Sequence, residues 1–219
     1  MTNLVSTTAT GEPDTLCRVT RRQAFMALGS ACIGGFALQG CSPAGPKFTS
    51  TDITGSTIGK SLYLTDHNGQ TRTLADFTGK TVVVFFGYTQ CPDVCPTSMS
   101  TMADVKRLLG ADGDRLQVVF ITLDPERDTT ALLKSYMQSF DASFLALRPT
   151  ETELKGVVTD FKIYFKQVPG NTPSTYTVDH SAGKFVYDAQ GRIRLFSAYG
   201  TAPAVIAADI KTLMGERSS

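Results

Sequence analysis

A continuous run of β-branched and aromatic residues at positions 81–86 is the feature that most constrains the fold of this chain. No polar side chain alternates with the apolar ones, which is typical of a strand buried on both faces of a sheet. Residues 87–90 end the run, and a helical pattern follows over about 96–109. Residues 116–122 repeat the buried-strand pattern. The sequence therefore predicts an α/β fold, with helices covering both faces of a sheet.

The other predicted elements complete a central mixed sheet flanked by helices, preceded by an N-terminal hairpin. A capping box of Thr150 with Glu153 marks one helix start, and Pro203 suits the first turn of another. In chain order these elements are a hairpin at 62–73 with its Asn-Gly turn, a helix at 129–140, an apolar segment at 144–147, a helix at 150–161, a hairpin at 184–197 and a helix at 203–214.

The first 40 residues have the pattern of an export signal. Arg21 and Arg22 precede an uncharged, largely apolar run of 15 residues at 24–38. That run is shorter than the roughly 20 apolar residues that span a membrane. A buried core helix is the alternative, but residues 42–56 resemble a linker and offer nothing for such a helix to pack against.

Two details refine this signal. Thr20–Gln23 followed by Phe25 resembles a twin-arginine motif, and residues 38–41 resemble a bacterial lipobox that ends in Cys41. Lipidation of Cys41 would anchor the protein to the extracytoplasmic face of the bacterial inner membrane, on the periplasmic side. Cleavage without a lipid is the alternative. The predicted boundaries are an export signal at 1–40, a tether at 41–56, a folded domain at 57–215 and a tail at 216–219.

Charge and cysteine count narrow the function classes. The formal net charge is +1, so the chain lacks the basic excess typical of nucleic-acid binding. Of its five cysteines, Cys17 and Cys32 lie in the predicted signal and Cys41 would carry the lipid. Only Cys91 and Cys95 then remain free in the exported domain.

Cys91 and Cys95 lie where the buried strand gives way to a helix. The backbone N–H groups and the dipole at a helix start favour the thiolate, which both redox attack and metal binding require. Four positions apart, the two sulfurs face the same side and could close a disulfide or bind one metal. Structural zinc normally has four protein ligands, whereas few soft thiolates favour copper, particularly Cu(I). A histidine would complete a trigonal site.

The chain has two histidines. His67 lies in the turn of the first hairpin, where we expect a solvated residue. His180 lies just before the second hairpin. A lone histidine beside an aspartate is more often a surface residue than a ligand, but in a thioredoxin-like fold the loop entering this hairpin lies against the cysteines. We therefore expect His180 to be the third ligand.

Three segments carry a resemblance to a known family: residues 86–96 (FGYTQCPDVCP), 122–129 (TLDPERDT) and 178–181 (VDHS). With them, nearly all of residues 57–215 resembles the Sco/SenC family of copper-binding proteins. The resemblance implies a thioredoxin-like domain that holds copper through Cys91, Cys95 and His180. It also implies delivery of copper to the binuclear site of cytochrome c oxidase subunit II, or reduction of that site's cysteines. The partners would be subunit II, a copper donor protein and the membrane, and no nucleic acid.

The segment 122–129 has two interpretations. Asp124 either lines the metal site or meets the partner, or else it turns the chain together with Pro125. Asp128 or Thr129 would cap the helix that follows.

Three functions remain open at this point. The first is a metallochaperone that binds one Cu(I) or Cu(II) ion and is not an enzyme. The second is a thiol–disulfide oxidoreductase or peroxidase that uses Cys91 and Cys95 as a redox pair and leaves His180 incidental. The third is a structural disulfide. The longer Cys-x-x-x-Cys spacing, and a facing loop with Asp179 and His180 in place of a proline, favour the first.

Overall fold

The computed structural model describes residues 46–172 and 175–216. The predicted export signal, its twin-arginine motif and Cys41 lie outside the described residues, as do positions 173–174 and 217–219. Within the described ranges, every helix is too short or too polar to cross a bilayer.

The elements follow the predicted mixed order. The strands are β1 (Thr51–Asp52), β2 (Tyr63–Thr65), β3 (Thr71–Thr73), β4 (Thr81–Gly87), β5 (Leu116–Thr122), β6 (Leu145–Leu147), β7 (Phe165–Val168), β8 (Thr177–His180), β9 (Gly183–Tyr187) and β10 (Ile193–Ala198). The α-helices are α1 (Val94–Leu109), α2 (Thr130–Gln138), α3 (Glu151–Asp160) and α4 (Pro203–Gly215), with short 3-10 segments at Leu74–Phe77 and Gly110–Arg115.

In the described part of the chain, the central sheet has six strands in the order β1-β10-β9-β4-β5-β6. β4 runs parallel to β5, β5 runs parallel to β6, and β9 pairs antiparallel with β4. The sheet is therefore mixed, as predicted. Two hairpins, β2–β3 and β7–β8, form separate two-stranded sheets.

Every residue of β4 and β5 is buried, which confirms the predicted double-faced burial. Successive side chains of a strand point to opposite faces. Phe86 accordingly contacts Phe161 just after α3, with ring centroids 4.9 Å apart, whereas Phe85 packs against Phe120 of β5 at 5.9 Å. The core thus fills both faces of the sheet, and it fixes the end of β4 in place.

The N-terminal part of the domain begins earlier than residue 57. Thr51 and Asp52, which lie inside the predicted tether, form β1 and pair with Phe196 and Leu195 of β10. The exposed, polar β1 carries no hydrophobic pattern, so it could not be predicted from its own residues. At the other end, Glu216 of the predicted tail forms an ion pair with Arg194 at 2.5 Å.

The solvated position expected for His67 is wrong. Its side chain is buried, and Nδ1 accepts a hydrogen bond from the Ala146 N–H at 3.1 Å. The hairpin turn folds onto β6, where Asp66 also bridges to Leu147. Burial lowers the pKa of His67, so the imidazole acts here as a neutral structural group.

Replacement of Asp209 should loosen the start of the folded domain. The buried Asp209 carboxylate of α4 accepts hydrogen bonds from the N–H groups of Thr49 and Ser50 at 2.9 and 2.8 Å. Asp209→Ala leaves both donors without this acceptor, so the free energy of unfolding should fall by about 2–3 kcal/mol. Urea denaturation measures this change, and hydrogen exchange at the two amides should accelerate. The exposed Asp114→Ala is the matched control, and equal losses in both variants would contradict the assignment.

Candidate metal centre

The two cysteines occupy the transition from β4 to α1. Cys91 is half-buried in the loop, and its N–H donates to the Tyr88 carbonyl at 3.3 Å. Cys95 lies in the first turn of α1 and is fully buried. The Cys95 N–H points at the Cys91 sulfur, 3.5 Å away. The helix start therefore offers a backbone donor to Cys91, as the sequence predicted.

Gly87 makes room for the buried sulfur. A Cβ atom at this last position of β4 would lie 2.7 Å from Cys95 Sγ and 2.9 Å from a ring carbon of Phe120. No side chain fits in that space without displacing one of them. From its place in the sequence Gly87 is only a strand break, because the contact depends on how α1 packs on the sheet.

His180 approaches from the end of β8. Its Nδ1 lies 3.0 Å from the Ser181 carbonyl oxygen, which can only accept, so Nδ1 carries the proton in that hydrogen bond. Nε2 is left facing Cys95 Sγ at 3.6 Å. The rings of Phe85 and Tyr88 meet the imidazole edge-on, at centroid distances of 6.4 and 6.2 Å. These contacts orient the Nε2 lone pair towards the sulfurs.

The three predicted site residues therefore converge. One ligand atom from each of Cys91, Cys95 and His180 lies within 4.8 Å of the other two. Metal–thiolate and metal–imidazole bonds of about 2.0–2.3 Å place the ligand atoms of a trigonal site roughly 3.5–4 Å apart. The cluster fits one ion with little adjustment, and its two sulfurs and one imidazole are ligands suited to copper.

The two thiols are electrostatically unequal. A hydrogen bond from the Cys95 S–H lowers the pKa of Cys91 to about 5, with further contributions from the N–H groups of Asp93 and Cys95. The same hydrogen bond, together with burial, raises the pKa of Cys95. The reduced pair is thus a thiolate at Cys91 next to a thiol at Cys95.

The buried Asp128 supports the cysteine loop and does not cap α2. Its carboxylate accepts hydrogen bonds from the backbone and hydroxyl of Thr89 and from the hydroxyl of Thr122. Thr129 is the cap, since its hydroxyl accepts from the Leu132 N–H at 3.2 Å. The interpretation of Asp128 as the capping residue is therefore wrong. Of the two capping candidates, Thr129 is the correct one, because the carboxylate of Asp128 binds Thr89 in the loop 39 residues earlier.

Asp124 is linked to the cysteine loop through Arg127. It forms an ion pair with Arg127 and accepts a hydrogen bond from the Tyr176 hydroxyl at 2.8 Å. Arg127 also donates to the Tyr176 carbonyl at 2.9 Å and stacks 3.5 Å from the centre of that ring. The guanidinium reaches the Tyr88 ring as well, at 5.8 Å. The segment 124–127 thus ties β8, which carries His180, to the cysteine loop.

A cavity of about 390 Å³ opens onto the cluster between residues 91–94 and β8. Cys91 and His180 contribute to its wall, whereas the buried Cys95 does not. A larger cavity of about 710 Å³ lies between residues 54–60 and 191–194, and none of the three cluster residues lines it. The smaller opening therefore gives a partner molecule access to the cluster from the side of Cys91 and His180.

Comparison with known families shows to which family the chain belongs. The model of the SCO1/SenC family matches residues 50–215. The chain belongs to the SCO1/SenC family. Among the relatives of this SCO1/SenC protein is a SCO2-like protein of Rickettsia felis, 36% identical over 136 residues. That alignment covers 62% of this chain and 66% of the relative, slightly less than two thirds of its length.

Solved structures of family members share the fold. The copper-bound ScoI of Bradyrhizobium japonicum is 40% identical, with a TM-score of 0.66 over 71% of this chain and 99% of that one. Copper-bound yeast Sco1 is 29% identical, with a TM-score of 0.68 over 74% of this SCO1/SenC chain and 91% of the yeast chain. The predicted thioredoxin-like α/β fold is confirmed.

The thiolate at Cys91 can be tested by alkylation. Because the Cys91 pKa is about 5, its reaction with iodoacetamide should rise through about pH 5 and level off near neutrality, where an ordinary thiol is still mostly protonated. Mass spectrometry of the reduced, metal-free protein measures the rate at each pH. Cys95→Ala removes the S–H donor and should shift the profile to higher pH, and Cys91→Ser should abolish the low-pH reaction. A midpoint above pH 8 in the unmodified protein would contradict the assignment.

Proposed function

We propose that this SCO1/SenC protein is a metallochaperone that binds one copper ion through Cys91, Cys95 and His180. In this proposal it delivers the ion to the binuclear copper site of cytochrome c oxidase subunit II. The supporting observation is the convergence of two sulfurs and one unprotonated imidazole nitrogen within 4.8 Å. The copper-bound relative at 40% identity supports copper as the cargo.

The unequal exposure of the ligands suits transfer. Cys95 is fully buried and anchors the ion from the core side, whereas Cys91 and His180 face the open cavity. An acceptor ligand entering this cavity can bind the ion while Cys95 still holds it. Exchange would then proceed one ligand at a time, so that copper is never released into water.

A lipid on Cys41 would place this exchange at the membrane surface. The predicted signal and lipobox support export and anchoring, on the extracytoplasmic face of the inner membrane. The chain enters the fold near Thr49, so a short tether would keep the domain close to a membrane-bound acceptor. A separate copper donor protein would load the site.

Thiol–disulfide exchange is the second candidate, favoured by the thiolate–thiol asymmetry of the pair. The Cys91 thiolate would attack a disulfide of the acceptor and release one acceptor thiolate. Cys95 would then lose its proton and attack the mixed disulfide, which releases the second thiolate and leaves Cys91–Cys95 oxidised. Both roles serve an acceptor whose copper-binding cysteines must be reduced before loading.

Removal of His180 tests the three-ligand site. An anaerobic titration of the reduced protein should give one Cu(I) per chain, and His180→Ala should weaken binding at least about tenfold because one ligand is lost. The matched control is His67→Asn, which preserves an acceptor for the Ala146 N–H and removes a histidine outside the cluster.

The same measurements would also reveal the results that contradict the copper-binding proposal. Unchanged affinity in His180→Ala would contradict the three-ligand model. A high rate of disulfide reduction by the copper-free protein, together with no stoichiometric copper binding, would establish the oxidoreductase in its place.

A further inference from the structure

Arg127 contacts two aromatic rings close to the metal centre. Its guanidinium carbon lies 3.5 Å from the centre of the Tyr176 ring and 5.8 Å from the centre of the Tyr88 ring. Both rings belong to segments that carry ligands, because Tyr88 follows β4 at the start of the cysteine loop and Tyr176 directly precedes β8, which ends at His180. The guanidinium therefore contacts both segments that must meet if the three ligands are to converge.

The β7–β8 hairpin depends on such contacts for its position. Among the described residues, β7 and β8 pair with each other and form no ladder with the central sheet. Side chains must therefore hold His180 against the cysteines. The Tyr88 ring supplies one such contact, since it meets the imidazole edge-on at 6.2 Å. Because Arg127 contacts the same Tyr88 ring, a continuous line of contacts runs from Arg127 through Tyr88 to His180.

Ion pairing with Asp124 does not by itself account for an arginine at position 127. One guanidinium nitrogen, Nη2, is buried without a hydrogen-bond partner in the part of the chain that the structure describes, and an unpaired buried donor costs free energy. A lysine could pair with Asp124 without leaving such a donor. A lysine lacks, however, the planar group that donates to the Tyr176 carbonyl and stacks on the ring of the same residue.

We infer that Arg127 is a positioning residue: through Tyr88 and Tyr176 it holds the His180 imidazole against the two sulfurs, and it thereby supports the third copper ligand. Its effect is specific to that ligand, because Cys91 and Cys95 lie four positions apart on one short piece of backbone and contact each other directly. The copper part of this inference rests on the proposed function. The placement of the imidazole in the metal-free protein does not.

Arg127→Lys tests the inference, because it keeps a positive charge beside Asp124 and removes the plane that stacks on the aromatic rings. Arg107→Lys is the matched control. Arg107 pairs with Asp104 at the same spacing of three residues, but it lies on the surface of α1, where its side chain is 73% exposed. Thermal melting of each variant checks that it remains folded.

Two measurements follow His180, one without metal and one with it. Proton NMR of the reduced, metal-free protein detects nuclear Overhauser effects between the ring protons of His180 and Tyr88. The other histidine of the chain, His67, is the internal reference, because it is buried against Ala146 and lies outside the cluster. The affinity for Cu(I) is then measured by anaerobic competition with a chelator, both in the otherwise unmodified protein and in His180→Ala.

We expect Arg127→Lys to weaken or abolish the Overhauser effects between His180 and Tyr88 and to leave the His67 signals unchanged. The affinity for Cu(I) should fall about threefold to tenfold, which is less than the loss of the ligand itself would cause. In the His180→Ala background the same substitution should change the affinity by less than about twofold, because no imidazole is left to position. Arg107→Lys should match its parent protein in every measurement.

Intact Overhauser effects in a folded Arg127→Lys protein would overturn the inference. An equal loss of affinity with and without His180 would do the same, because it would assign Arg127 a general structural role. If Arg127→Lys does not fold, Tyr176→Leu takes its place with the same expected results, since it removes the ring on which the guanidinium stacks and keeps the Asp124–Arg127 pair. If the Overhauser effects weaken but the unmodified protein binds no copper, the placement of the imidazole by Arg127 stands and the proposed function fails.

Discussion

The close contact between the end of β4 and the first turn of α1 is the constraint on which the site depends. Because Gly87 has no side chain, the buried sulfur of Cys95 can lie against the strand, 2.7 Å from where a Cβ atom would be. That position puts Cys95 Sγ 3.6 Å from Nε2 of His180 and leaves Cys91 at the mouth of the cavity. The depth at which the helix packs thus determines which ligand is buried and which is accessible.

The second structural requirement is that the β7–β8 hairpin stays in place. His180 lies at the end of this small separate sheet, which is joined to the cysteine loop through Arg127, Tyr176 and Tyr88. Asp124 holds Arg127 in this position. Asp128 holds the cysteine loop in place by accepting a hydrogen bond from the Thr89 N–H. Asp124 and Asp128 therefore hold the β7–β8 hairpin and the cysteine loop in position relative to each other.

Much of the fold and the choice of the two cysteines could be predicted from the sequence, because they rest on local patterns, whereas the choice of His180 rests more on the family resemblance than on anything local. The buried run of β4, the capping box at Thr150 and the Cys91–Cys95 spacing each carry their own physical signature. The missed features depend on partners distant in the chain. β1 is polar and exists only through its pairing with β10, His67 is buried only because its turn packs on β6, and Asp128 is claimed by Thr89 and not by its own helix.

The coordination of Cu(I) tests the central claim most directly. X-ray absorption at the copper edge, on protein loaded anaerobically with one equivalent, reports the number and type of ligand atoms. The account predicts a three-coordinate ion with two sulfur ligands and one imidazole nitrogen, and with bonds near 2.0–2.3 Å. Loss of the nitrogen contribution in His180→Ala would identify that ligand. A two-coordinate ion bound by sulfur alone in the unmodified protein would contradict the account, because it would leave His180 without a role in the site.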